Sequence, residues 1–123
     1  MKYYVCPTCG NIISYAHQTA VPVMCCGKPM TEMVPGSTDA ATEKHVPVVT
    51  VEGNKVTVRV GSVDHPMTEE HYIPWITLVT NRGEYRRLLK PTDAPVVEFL
   101  LGEGEEYETC LAWCNLHGLW KAN

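Results

Sequence analysis

The sequence predicts a mainly β chain in which a small four-cysteine metal-binding module precedes an antiparallel β-sandwich of about seven strands. Three observations lead there. Beyond residue 42, short apolar runs recur between Gly- and Asn-bearing turns, and no 3.6-residue apolar period lasts longer than a turn or two. Four of the six cysteines lie within the first 26 residues. Between the two regions, Val34-Pro35-Gly36-Ser37-Thr38-Asp39-Ala40-Ala41-Thr42 is a small, polar stretch whose Pro and Gly break regular structure, so it reads as a linker. The boundary is placed there, with residues 1–36 as the first module and 37–123 as the sandwich.

The first module falls below the roughly 40 residues at which a chain usually needs a metal, disulfides or a partner to hold a fold. Its cysteines therefore carry a structural task. Cys6-Pro7-Thr8-Cys9 is a knuckle whose two thiolates can chelate one ion, and Gly10 permits the turn that aims backbone amides at the sulfurs. Cys25 and Cys26 would complete a tetrahedron. Neighbouring side chains tend to point apart, so both can reach one metal only where the backbone bends, and Gly27 is expected to help it bend. Four thiolates suit zinc or a single iron, and the spacing does not choose between them. Tyr15, Val21, Val23 and Met24 are expected to form the module's small apolar core, and His17 is read as a loop histidine outside the site.

Beyond the linker, Val46–Val51 and the alternating Val56–Val60 flank Glu52-Gly53-Asn54-Lys55 and predict a hairpin. Tyr72–Thr80 and Glu84–Leu89 flank Asn81-Arg82-Gly83, and Pro95–Leu101 and Tyr107–Trp113 flank Gly102–Glu106; each pair is expected to form another hairpin.

The remaining metal-ligand types gather at strand ends or in loops: His45, His65, His71, Cys114 and His117. Pro66 and Pro74 argue against a helix through His65 and His71, so the pair is not a helical zinc motif. Cys114 and His117, three residues apart, can meet on one side of a turn. Structural zinc is nearly always four-coordinate, so five mixed donors suggest an ion that accepts five and leaves a sixth position open, which fits iron. Copper ranks lower, because no Met follows Cys114 to serve as its weak axial ligand. Cys110 lies about 13 Å along the strand from Cys114 and is read as a buried apolar residue.

Composition narrows the partners. A formal charge of −4 and a pI near 5.7 argue against nucleic acid or an anionic membrane, since phosphate binding relies on a basic surface. No run approaches the ~18 apolar residues of a membrane span, and Met1–Cys6 lacks the features of a signal peptide, so a cytoplasmic location is expected. A reducing compartment favours metal ligation over disulfides.

These residues resemble desulfoferrodoxin, the two-domain form of superoxide reductase, over nearly the whole chain. The segments that carry the likeness are Cys6-Pro-Thr-Cys9, Cys25-Cys26, Glu43-Lys44-His45, His65-Pro66-Met67, His71-Tyr72-Ile73 and Cys114-Asn115-Leu116-His117-Gly118. The resemblance implies a desulforedoxin-like module holding one iron through Cys6, Cys9, Cys25 and Cys26. It further implies an immunoglobulin-like sandwich with a catalytic iron held equatorially by His45, His65, His71 and His117 and axially by the Cys114 thiolate. The implied activity is one-electron reduction of superoxide to hydrogen peroxide with rubredoxin or a similar donor, in homodimers from anaerobes and microaerophiles. Lys44 is expected to draw in the anion, and Glu43 to occupy the sixth position in the oxidised resting state. A rival reading makes the chain an electron carrier or redox sensor working through the four-cysteine iron, and a third makes it a zinc-bound interaction module.

Overall fold

The computed structural model describes residues 1–123, and the chain divides into two units, Met1–Val34 and Pro35–Asn123. The first unit contains five strands of two residues each: β1 (Tyr4–Val5), β2 (Ile12–Ile13), β3 (Met24–Cys25), β4 (Lys28–Pro29) and β5 (Thr31–Glu32). Strand β1 pairs antiparallel with β2 and β5, and β3 with β4. Only Tyr3, Cys6 and Met30 are buried in this unit. The expected apolar core is not there: Val21, Val23 and Met24 are 74%, 40% and 55% exposed. Their segment runs along the outside on its way from β2 to β3, and of the four cysteines only Cys6 is buried. Of that group, Tyr15 alone is half-buried, its ring edge-on to Tyr4 and its hydroxyl accepting from the Val23 amide at 3.0 Å.

The second unit holds one helical turn, α1 (Thr42–His45), and seven strands: β6 (Pro47–Glu52), β7 (Lys55–Val60), β8 (Trp75–Thr80), β9 (Glu84–Leu88), β10 (Val96–Leu100), β11 (Tyr107–Cys114) and β12 (Gly118–Lys121). They form two antiparallel sheets, β10-β7-β6 and β12-β11-β8-β9, so the mainly β expectation holds. The alternation in β7 does what period two requires: Val56, Val58 and Val60 are fully buried, while Arg59 faces out. Gly53, at φ +61°, supplies the left-handed residue of the β6–β7 turn. Strand β8 is buried along most of its length, and β9 beside it is an exposed edge.

The third hairpin does not form. Val97 pairs with Val58 in the first sheet, whereas Cys110 pairs with Leu78 in the second, so β10 and β11 lie in different sheets. The crossing is held by its own bonds. Leu101 N donates to Asn54 O at 2.8 Å on one side, and Glu106 N donates to Asn81 Oδ1 at 2.8 Å on the other. Between them the Glu105 carboxylate accepts from Gly102 N, the Thr80 hydroxyl and the Tyr85 hydroxyl at 2.9, 2.5 and 2.6 Å. Strand β12, which pattern reading passes over, completes the second sheet behind a tight turn at 115–117.

The core lies between the sheets, with Val56, Val58, Val60, Ile73, Ile76, Leu78, Val97 and Phe99 buried together with Cys110 and Cys114. Each such aliphatic or aromatic side chain stabilises the fold by about 1.5–3 kcal/mol. One end of the sandwich gathers the close of β7, the start of β8, the close of β11 and the start of β12, and α1 packs there. No helix is long and apolar enough to cross a membrane.

Candidate metal centres

In the first unit the Sγ atoms of Cys6, Cys9, Cys25 and Cys26 all lie within 4.8 Å of one another, with Cys9 and Cys25 3.6 Å apart. Backbone bonds shape the knuckle: Cys6 N donates to Asn11 O, Gly10 N to Cys6 O, and Cys9 N to Cys6 Sγ at 3.5 Å. Gly10 sits at φ +82°, the conformation that this turn demands and that a Cβ resists. The adjacent pair reaches inward because two successive residues, Cys26 at φ +52° and Gly27 at φ +75°, are left-handed. The bend thus begins on the cysteine itself, one residue before the glycine that sequence reading singled out.

The Cys9 amide lowers the Cys6 thiol to about 6, while the neighbouring sulfurs of Cys6, Cys9 and Cys25 push Cys26 up to about 12. Crowded thiols of this kind resist shedding further protons until a cation shares their charge. The donor set fits a thiophilic ion.

The second cluster stands on the loaded end of the sandwich. His45 closes α1, His65 and His71 lie in the loop between β7 and β8, Cys114 ends β11, and His117 lies in the turn before β12. Ring centroids are 4.7 Å apart for His45–His65, 4.6 Å for His65–His71, 5.0 Å for His71–His117 and 5.0 Å for His45–His117. The His45–His71 diagonal is 6.4 Å. Four near-equal sides and a longer diagonal describe a square, with each ring turned 76–89° from its neighbours. Donor atoms of His45, His65, His71 and Cys114 lie within 4.8 Å of one another. His117 joins through Nδ1, which is 3.2 Å from His45 Nε2 and 3.8 Å from Cys114 Sγ.

Tautomers test whether these residues suit a metal. His45 Nδ1 lies 2.7 Å from Ala41 O, and His65 Nδ1 lies 2.6 Å from Pro66 O. A carbonyl can only accept, so each Nδ1 carries the proton and each Nε2 presents a lone pair. Those two Nε2 atoms face each other at 3.2 Å. Two lone pairs at that separation repel unless a cation lies between them, and two imidazole nitrogens each ~2.1 Å from one ion stand about 3–3.4 Å apart. His71 Nε2 is buried with no partner in the protein. Burial, ahead of all other causes, lowers the pKa of His45, His65 and His71, taking His65 to about 4, so these rings are neutral near pH 7. Neutral, convergent and unpartnered nitrogens are the donors that a transition-metal ion requires.

Burial raises the Cys114 thiol, and the amides of Leu116 and His117 oppose that shift by pointing at the sulfur. Cys110, on the same strand, is fully buried, and its thiol is pushed up to about 12 by desolvation alone. His17 is exposed and apart from both clusters. Glu43 and Lys44 are exposed on α1; the Glu43 charge acts on His45, and the Lys44 charge on both His45 and His71.

Two supporting residues escaped the sequence reading. Asn115 binds both neighbours of His71, donating from Nδ2 to Glu70 O at 3.0 Å and accepting from Tyr72 N at 3.0 Å. Since the His71 ring has no carbonyl anchor like those of His45 and His65, this backbone grip places it. Trp120 stacks on His45 at 4.9 Å and donates its indole N–H to His117 O at 3.0 Å. Asn115 directly follows Cys114 and Trp120 lies three residues beyond His117, and that closeness in sequence was the available signal.

The family model described as Desulfoferrodoxin matches residues 37–123. The chain belongs to the desulfoferrodoxin family. A desulfoferrodoxin homolog of Archaeoglobus fulgidus is 46% identical over 99% of this chain and 96% of its own length. A desulfoferrodoxin of Nitratidesulfovibrio vulgaris is 46% identical over 98% of this chain and 94% of its own. Among solved structures, the superoxide reductase of Treponema pallidum is similar at a TM-score of 0.82 and 36% identity, covering 99% of this chain and 98% of that one. Membership of the desulfoferrodoxin family, with one cluster of four thiols and one of imidazoles and a thiol, points to iron binding.

Proposed function

We propose that the chain is a superoxide reductase, an oxidoreductase that turns superoxide into hydrogen peroxide without releasing oxygen. The square of His45, His65, His71 and His117 with Cys114 as fifth donor carries this reading, because five donors leave one position of a six-coordinate ion for a small anion. Bound ferrous iron would supply one electron, and superoxide with that electron and two protons becomes hydrogen peroxide. The His45, His65 and His71 rings, kept neutral by burial, add no charge to the square. The Cys114 thiolate adds electron density and one negative charge, held in place by the Leu116 and His117 amides. Burial of His45, His65 and Cys114 keeps water from the donor atoms. Lys44 offers a local positive charge to an incoming anion on a chain of net charge −4, and the Glu43 carboxylate is assigned to the open position in the resting oxidised form.

In this reading Met1–Val34 holds a second iron, or zinc, on Cys6, Cys9, Cys25 and Cys26, and Pro35–Asn123 is the catalytic domain. Rubredoxin or a similar carrier would restore the ferrous state, in a cytoplasmic homodimer. The alternative, an electron carrier or redox sensor, draws on the exposure of Cys9 and Cys26, which brings ligand sulfurs to the surface. One experiment separates them: iron per chain is quantified, and peroxide is measured against superoxide consumed under an anaerobic reductant. One peroxide per superoxide, with no oxygen evolved, is expected of the reductase. Half a peroxide per superoxide, with oxygen, would mark a dismutase; no acceleration would favour the carrier.

A further inference from the structure

Helix α1 is a single turn, and little in its own sequence holds it beyond the His45 Nδ1–Ala41 O bond at 2.7 Å. It has two backbone bonds of helical or turn type, Lys44 N to Ala41 O at 3.3 Å and Val46 N to Thr42 O at 2.9 Å, and no side-chain cap. A lone turn is unfavourable, since nucleation fixes several dihedrals for one bond. Yet this turn carries Glu43, Lys44 and His45 together.

Its support comes from the loop after β7. Val63 N donates to Glu43 O at 2.9 Å, and the Ser62 hydroxyl donates to the same oxygen at 3.2 Å. Gly61 lies flat against the turn: a Cβ there would stand 2.6 Å from Glu43 O, 2.9 Å from Lys44 C and 3.1 Å from Val46 O. All three neighbours are backbone atoms, so they cannot swing aside as a side chain would. The loop is itself braced by His65 N to Val60 O at 2.9 Å and by the Arg59–Asp64 ion pair at 2.8 Å, and it continues directly into His65.

We propose that Gly61, Ser62 and Val63 clamp the Glu43–Lys44 backbone and act as positioning residues for anion capture, by holding the Lys44 side chain at the mouth of the histidine site. The inference rests on the superoxide reductase reading. The clamp leaves both charged side chains exposed and free to meet a ligand while fixing the peptide from which they spring. Misplacing a steering charge costs rate without disturbing the metal.

The test uses the full-length, iron-loaded protein and the variants Ser62→Ala, Ser62→Thr and Gly61→Ala, with Lys44→Ala as the reference for complete loss of the steering charge. Two quantities are read: amide hydrogen exchange across residues 42–46, and the second-order rate constant with superoxide as a function of ionic strength. Ser62→Ala should speed exchange in the turn and slow capture by a factor between wild type and Lys44→Ala, itself about tenfold down, with a shallower salt dependence and unchanged iron content. Ser62→Thr, which keeps the hydroxyl, should restore both. Gly61→Ala should exceed Ser62→Ala in both readouts. Wild-type exchange in Ser62→Ala overturns the clamp; faster exchange with wild-type capture and salt dependence leaves a structural contact and overturns the positioning role. Wild-type protein that fails to reduce superoxide sinks the functional reading and the capture role with it, while the exchange data still decide whether the clamp exists.

Discussion

The two metal clusters are built in opposite ways. In Met1–Val34 the fold has almost no apolar centre: strands are two residues long, three side chains are buried, and one of these is Cys6. In Pro35–Asn123 the ligands are mounted on a fold that already has a centre, since Ile73, Ile76, Leu78 and the valines of β7 are fully buried between two sheets. Burial of so few groups cannot offset the backbone entropy of ordering the first unit, at about 1–2 kcal/mol per residue. The sandwich has no such deficit. A metal held by the four thiols would therefore act as structure in the first unit, whereas the sandwich needs none to fold.

The largest expected effect follows from removing metal from both sites with a chelator under a thiol reductant. Amide dispersion in a two-dimensional NMR spectrum should collapse for residues 1–34 and persist for the strands β6–β12. Structural zinc in comparable peptides contributes about 10–16 kcal/mol, more than a unit of this size can replace. A dispersed spectrum for the first unit without metal would erase the contrast.

A pair of substitutions sharpens it within the sandwich. Leu78→Ala removes a fully buried side chain from the strand at the centre of the second sheet and should destabilise the unit by about 2–5 kcal/mol in urea, with or without metal. His71→Ala removes a ring whose buried Nε2 has no partner, so the metal-free protein should shift by less than about 1 kcal/mol while metal at this site is lost. A His71→Ala variant that unfolds without metal would show that the histidines belong to the scaffold.

What the residues disclosed in advance follows the same division. The β6–β7 hairpin was legible because alternation at Val56, Val58 and Val60 reports one buried face, and both clusters of metal-binding residue types were legible because cysteines and histidines are rarely gathered in such numbers. Val96–Leu100 and Tyr107–Cys114 were misjoined because period two tells which face is buried, not which sheet a strand enters; the crossing is held by the Asn54 carbonyl and the Asn81 side chain, both distant in sequence, and by Glu105 within the connection itself. The core of the first unit was misplaced on Val21, Val23 and Met24 because apolar type alone does not tell which side chains a unit this small can cover, and it covers only Tyr3, Cys6 and Met30. Asn115 and the Ser62 clamp were invisible because backbone grips on a ligand's neighbours leave no pattern in composition.

Acid separates the units further in the metal-free state. Burial holds His65 at about 4, against 6.5 for a free histidine, so between those values the unfolded chain binds a proton that the folded sandwich refuses. Stability rises with pH across that window: its contribution is whole above about 6.5 and lost as pH falls to and through about 4. His45 and His71 shift in the same direction and add to it. The urea midpoint of the metal-free sandwich should therefore fall steadily from pH 7 to 4. A flat profile would mean that the rings stand open to water before metal arrives.

The smallest effect belongs to Glu105, far from the metal question, and for that reason it checks the claim that the sandwich stands by its own bonds. Its carboxylate accepts from Thr80, Tyr85 and Gly102, and those bonds, led by Thr80, lower its pKa. A depressed folded pKa means stability present above the unfolded value and lost as pH falls through the folded one. Glu105→Gln should lower Tm slightly at pH 7, and the gap from wild type should close once the wild-type carboxyl is protonated. The same small gap should appear with metal and without it, because the crossing from β10 to β11 is fixed by polar contacts at 80, 85, 102 and 105 and owes nothing to the histidine cluster. A gap that vanished on metal removal would tie the crossing to the site, and the sandwich could no longer be counted as a scaffold formed in advance of its metal.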